Sequence, residues 1–402
     1  MVNIAETAIR FEKLLSNIGE GSNIKELLTK HNNHLLEFIE QPDSVEKISE
    51  FSLVKSIIDG KDTEHIQKIN RILESKDKSF RVRSNGQIIG LGKYEALDIG
   101  WAESIITFLK NIDDPALFRE SPAIIPMSEE ATISIFGDFG TGDWDGSTVA
   151  STISKNIKNL NPCYSIHLGD VYYAGTARES RDKLLSLWPI GTKGNFTLNS
   201  NHEMFDGARG YFNTTLDNKI FEQQQNSYFA LENNYWVIVG LDSAYFSDKK
   251  TFYMEGRLND SQILFLKQIA VKNKRTIVLT HHFVFDYVNN DTMPIWNQVK
   301  DALGNNLKYW YYGHLHCAAV YQDIDNVKVR LSGHAAIPYG NAAAYAANSK
   351  VIWYENTPVQ NDDIRVQNGF CLLKLNNENI IEEFYGEDGK VHYSSITCIQ
   401  DN

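Results

Sequence analysis

A chain of 402 residues has room for two domains, or for one large domain with an extension, and its 42% of apolar residues is enough for a core. Charged residues make up 22% with both signs mixed, which excludes a disordered chain, and a formal net charge of −12 argues against unspecific binding to a nucleic-acid backbone. No run of about 18 apolar residues exists to span a membrane.

Residues 1–80 read as helical. Ile4, Ala8, Phe11, Leu15 and Ile18 recur at the three- and four-residue spacing of one helix face, and Leu27, Leu28, Leu35, Leu36 and Ile39 continue the pattern. Met1 to Glu6 lacks a basic segment leading into an apolar one. The expectation is therefore a cytoplasmic protein without a cleaved signal, with secretion by a signal-independent route as the alternative. The four cysteines, Cys163, Cys317, Cys371 and Cys398, form no C-x-x-C pair and read as reduced thiols. Ser84-Asn85-Gly86 between Phe80–Arg83 and Gln87–Ile89 is a hairpin signal, and a helix is predicted over 98–110.

Pro115, Pro122 and Pro126 interrupt regular structure, so the spacing predicts a linker there. This divides the chain into a mostly helical N-terminal domain with a β-hairpin, 1–126, and a second domain, 127–402. Beyond Pro126, strands are predicted at 132–137, 163–168, 194–198, 235–241, 275–280 and 307–312, with helices such as 260–271 between them. That alternation predicts an α/β fold. Further strands are predicted at 327–332, 370–375 and 380–385, around a Gly/Ala/Asn/Tyr-rich loop at 338–348.

Five of these strands end in residues that bind metals. They run into Gly137-Asp138, Gly169-Asp170-Val171-Tyr172-Tyr173, Asn201-His202-Glu203, His281-His282 and Gly313-His314-Leu315-His316. Strand ends at one edge of an α/β sheet converge on a ligand. The set is rich in nitrogen and oxygen donors, which suits iron, zinc or manganese. His167, inside an apolar strand, reads as a core histidine.

The ordered blocks GD-x-G, GD-x-x-Y, NH-E, V-x-x-H and GH-x-H resemble the calcineurin-like metallophosphoesterase superfamily. Within it they are similar to the purple acid phosphatases. Gly140 stands where the first block usually has histidine, and Tyr173 follows Asp170 by three residues. The resemblance covers residues 132–340. It implies a four-layer αββα metallophosphoesterase sandwich behind a mostly helical N-terminal extension. It also implies that Asp138, Asp170, Tyr173 and His316 hold one metal and that Asn201, His281 and His314 hold a second, with Asp170 bridging. Iron(III) is expected at the Tyr173 site and zinc, manganese or iron(II) at the other. His202 would give a proton to the leaving group, and His282 and His334 would contact substrate or support the ligands. Ser200 departs from the glycine usual before Asn-His.

The activity this implies is hydrolysis of phosphate monoesters by hydroxide generated at two cations. The substrate would be a phosphorylated small molecule, not nucleic acid. The alternatives are a phosphodiesterase acting on nucleotides or lipid head groups with the same site, and an effector or toxin whose N-terminal segment binds a protein partner.

Overall fold

The computed structural model describes residues 80–82, 88–90, 104, 107–108, 110–140, 149–286, 290–337, 343–360 and 365–398. The helices expected before residue 80 lie outside the described residues, as does part of the 338–348 loop. The expected hairpin is present: β1 (Phe80–Val82) pairs antiparallel with β2 (Ile88–Gly90).

The strands that follow are β3 (Ile124–Pro126), β4 (Glu130–Phe136), β5 (Tyr164–His167), β6 (Gly194–Thr197), β7 (Phe229–Glu232), β8 (Trp236–Gly240) and β9 (Arg275–Thr280). Next come the short pair β10 (Phe285–Asp286) and β11 (Asp291–Thr292), then β12 (Leu307–Tyr312), β13 (Ala318–Tyr321) and β14 (Lys328–Ser332). The last four are β15 (Val351–Tyr354), β16 (Gly369–Asn376), β17 (Asn379–Gly386) and β18 (Val391–Thr397). They build two sheets, ordered β18-β17-β16-β4-β5-β6 and β15-β13-β14-β12-β9-β8-β7-β3. The central strands β4, β5 and β6 are mutually parallel, as are β8, β9, β12 and β14.

Alternation along each strand sorts the side chains into layers. Ile133, Ile135, Ile166, Phe196 and Leu373 from one sheet meet Ile238, Ile277, Leu279, Tyr309 and Val320 from the other. The outer face of the eight-stranded sheet is covered by α2 (Asp260–Ala270) and α3 (Pro294–Leu303), through Phe265, Leu266, Trp296 and Val299. The outer face of the six-stranded sheet is covered by α1 (Val149–Leu160), through Ala150, Ile153 and Ile157. The expected αββα sandwich is therefore the fold.

Local chemistry sets the helix ends. The Asn259 side chain accepts from Gln262 N at the start of α2, and Pro294 occupies the first turn of α3, where its missing N–H costs nothing. A buried ion pair ties the sheets together. Arg330 of β14 meets both carboxylate oxygens of Glu382 of β17 at 2.8 and 3.0 Å, and the Tyr311 hydroxyl donates to Glu382 at 2.6 Å.

Two expectations change. The five ligand-bearing strands do not share one sheet: β4, β5 and β6 lie in one, and β9 and β12 in the other. The proline stretch is also not a linker. Ile124–Pro126 is an edge strand of the eight-stranded sheet, paired parallel with β7, a place where proline is tolerated. Ile124–Pro126 thus belongs to the eight-stranded sheet, on the N-terminal side of the boundary expected after Pro126. No helix among the described residues is long and apolar enough to cross a membrane.

Candidate metal centre

The two sheets are stacked so that the carboxyl ends of β4, β5, β6, β9 and β12 open on one rim. Glycines make the approach close enough. A Cβ on Gly137 would sit 3.1 Å from Ser332 O and 3.2 Å from Leu168 Cβ, and one on Gly313 would sit 2.9 Å from Asp138 Oδ2. The sharp turns themselves fall on the next residue. Asp138, Asp170 and His314 have φ of 58, 74 and 70°, the left-handed region that costs a side chain energy and is kept where function requires it. His314 N donates to Asp138 Oδ2 at 3.0 Å, joining β12's exit to β4's.

Two clusters of donors result, with Asp170 in both. In the first, His281 Nδ1 lies 3.0 Å from the Leu168 carbonyl. A carbonyl only accepts, so Nδ1 carries the hydrogen and Nε2 presents a lone pair. That Nε2 stands 2.9 Å from Asn201 Oδ1, 3.1 Å from His314 Nδ1 and 3.2 Å from Asp170 Oδ1. Burial holds His281 near a pKa of about 3 and His314 well below its ordinary value, which disfavours the imidazolium form at both. Asn201 Oδ1, His314 Nδ1 and Asp170 Oδ1, each about 3 Å from the His281 Nε2 lone pair, match neighbouring ligands on one cation with bonds of about 2.1 Å.

The second cluster repeats the signature. A phenol oxygen, that of Tyr172, lies 2.8 Å from Asp138 Oδ1, 2.5 Å from Asp170 Oδ2 and 2.8 Å from His316 Nε2. His316 Nε2 is 3.3 Å from Asp138 Oδ1. The phenol oxygen thus faces two carboxylates and an imidazole at once. Burial and the charge of Asp170 push Asp138 well above the usual carboxylate range. Burial also works to raise Asp170, but His281, His202 and His314 around it hold it well below that range. The residues present therefore fit two metal ions sharing one carboxylate.

Of the expected ligands, Asp138, Asp170, Asn201, His281, His314 and His316 come together. The tyrosine differs: the phenol brought to the carboxylates belongs to Tyr172, not Tyr173. Tyr173 turns the other way, with its ring under Lys183 Nζ at 4.7 Å and its carbonyl 2.6 Å from His202 Nδ1. His202 is nearly buried beside the Tyr172 ring, centroid to centroid 4.5 Å.

His282 is fully buried, with Nε2 donating to the Tyr253 carbonyl at 2.6 Å and Nδ1 accepting from the Ser243 hydroxyl at 2.8 Å. It supports the adjacent imidazoles and has no nitrogen left for substrate. His334 is buried against Phe384, outside both clusters, and neither ring nitrogen has a hydrogen-bond partner among the described residues. His167 is the expected core histidine, packed against Phe136 and Trp188.

Two further residues bear on the site. Ser200 caps the one-turn helix Asn201–Met204, and its hydroxyl contacts both Asp170 Oδ1 and Glu203 Oε2. Glu203 is buried and accepts the Asp170 amide at 3.2 Å, with its carboxyl pushed up to about 8 by burial and by Asp170. The Asn-His-Glu run pointed to Glu203, but nothing in the sequence gave Ser200 two partners.

No family model and no curated protein matches the chain. Solved structures do match it. One is GAP50, the anchor in the inner membrane complex of Plasmodium, at 15% identity and TM-score 0.50, over 68% of this chain and 90% of that one. Purple acid phosphatase PPD1 from yellow lupin (Lupinus luteus) seeds matches at 17% identity and TM-score 0.48, over 67% and 54%. A dimetal phosphatase from Danio rerio matches at 11% identity and TM-score 0.47, over 66% and 98%. The likeness at these identities is one of fold, and among the described residues that fold brings together two adjoining groups able to hold metal.

Proposed function

We propose that this chain is a dinuclear-metal phosphoesterase that hydrolyses phosphate monoesters of small molecules. The observation that carries the reading is the crowding of metal-ligating side chains on both sides of Asp170. Asp138, Asp170, Tyr172 and His316 would hold one ion, and Asp170, Asn201, His281 and His314 the other. A phenol among carboxylates favours a trivalent ion, so iron(III) is assigned to the Tyr172 side, with zinc, manganese or iron(II) beside the imidazoles. When bound, such a pair neutralises phosphate charge and supplies a nucleophile from water near neutral pH.

The chain's own side chains do the rest. Leu168 O fixes the tautomer of His281, and Ser200 and Glu203 fix the bridging carboxylate and its loop. His202 also has its tautomer set, because the Tyr173 carbonyl accepts from Nδ1. Nε2 is then the atom that exchanges a proton. As an imidazolium, His202 gives that proton to the departing alkoxide oxygen, which a poor leaving group needs most.

The test is metal analysis of the purified protein together with hydrolysis of an aryl phosphate. Two ions per chain and turnover are expected, with Asp170→Asn and His281→Ala abolishing turnover while the far-ultraviolet dichroism is kept. Full activity in either variant would remove the site from the reaction. Faster turnover of a bis-aryl phosphate than of the monoester would make the enzyme a diesterase.

A further inference from the structure

The stretch leading into β3 is fastened to the rim of the metal centre. Phe108 is 2% exposed, and its ring packs on three others: Phe252 at 4.5 Å, Phe205 at 5.6 Å and Tyr253 at 6.0 Å. Each contact leads inward. The Phe205 ring lies 5.0 Å from that of His202. The Tyr253 carbonyl receives the Nε2 hydrogen of His282, and Met254 Sδ stands 3.5 Å from Asn201 Nδ2. Phe252 and Tyr253 both have left-handed backbones, φ 56 and 57°, a pairing of bulky residues that packing must impose.

Beyond Phe108 the chain keeps its hold on the same two loops. Arg209 donates to Asn111 Oδ1 at 2.8 Å and to Asp114 Oδ2 at 2.7 Å, and Ala116 N donates to Gly207 O at 2.7 Å. The Tyr245 hydroxyl donates to Ala116 O at 2.6 Å, and Lys249 pairs with Asp113 at 3.0 Å. Exposed ion pairs of this kind contribute little, so the buried aromatic cluster carries the attachment.

We propose that Phe108 and residues 110–118 are a strap and that Phe108 is a positioning residue, setting His202, Asn201 and His282 through loops 205–209 and 245–254. Its kinetic consequence rests on the phosphoesterase reading; its structural consequence does not.

The experiment uses the full chain with Phe108→Ala and the milder Phe108→Leu. Amide hydrogen exchange in 245–254 is expected to quicken in Phe108→Ala and, less so, in Phe108→Leu, which carries the test if the alanine variant does not fold. Turnover is measured on an aryl and an alkyl phosphate. A displaced proton donor hurts the poorer leaving group more, so kcat should fall about tenfold further on the alkyl ester, with little change in KM. Unchanged exchange in both variants, or an equal loss on the two esters, overturns the proposal. A wild type without hydrolytic activity would sink the phosphoesterase reading instead, and the exchange result alone would then decide the strap.

Discussion

The adjacent tyrosines show how one residue's place is decided. The family resemblance selects Tyr173, three residues after Asp170, yet the phenol at the carboxylates is that of Tyr172, 2.5 Å from Asp170 Oδ2. The left-handed backbone at Asp170 breaks the strand's two-residue alternation, and with it the rule that says which neighbour points inward. The two positions give opposite expectations. In protein loaded with iron(III), Tyr172→Phe should lose the visible phenolate-to-iron absorption and bind iron more weakly, whereas Tyr173→Phe should keep its colour. The reverse pattern in absorption spectra would return the ligand role to Tyr173. Ser200 is a similar case. Its hydroxyl reaches Asp170 and Glu203, where the resembling family keeps glycine, a contact that only the fold reveals.

At the scale of elements, the site is a set of strand exits held close by small residues. At Gly313 an added Cβ would stand 2.9 Å from Asp138 Oδ2, the oxygen that accepts the His314 amide. Gly313→Ala should push that carboxylate away from Tyr172 and His316. Disturbing the groups that orient a ligand typically costs ten- to a hundredfold in metal affinity, and overpacking costs about 1–3 kcal/mol. The expected outcome is weaker metal binding by about that factor with a folded protein, read by metal titration and thermal unfolding. Wild-type affinity would show that the exit of β12 can yield. Most of these elements were legible beforehand, since strands such as β9 and β12 and the helix α2 are long apolar or amphipathic runs with polar ends. The strands β3, β7, β10, β11, β13, β15 and β18 were missed, being short or lacking a clean apolar run and owing their form to pairing with a neighbour.

The whole molecule buries titratable groups away from the metal centre, and acid should find them. Burial lowers His167 and His334 each to a pKa of about 3. The unfolded chain binds a proton at each near pH 6.5 and the folded chain does not, so stability falls as pH drops from about 6.5 toward 3. Each contributes up to about 1.4 kcal/mol per pH unit in that window. Replacing His334 by asparagine should flatten the loss of stability between pH 6.5 and 5, measured by urea unfolding at both pH values; an unchanged slope would mean that the imidazole finds a proton in the fold.

By itself the sequence pointed to an α/β fold and to nitrogen- and oxygen-rich donors, because apolar period is a local property of the chain, and its motif order carried the resemblance that implied six of the residues that gather at the rim. Tertiary structure decided which of two tyrosines meets the carboxylates, how the five strands are shared between two sheets, and that Phe108 packs on the rim loops while Ile124–Pro126 joins the eight-stranded sheet. Those outcomes depend on contacts between segments far apart in the chain, such as Phe108 on Phe252 and Gly313 against Asp138, and no local pattern encodes them.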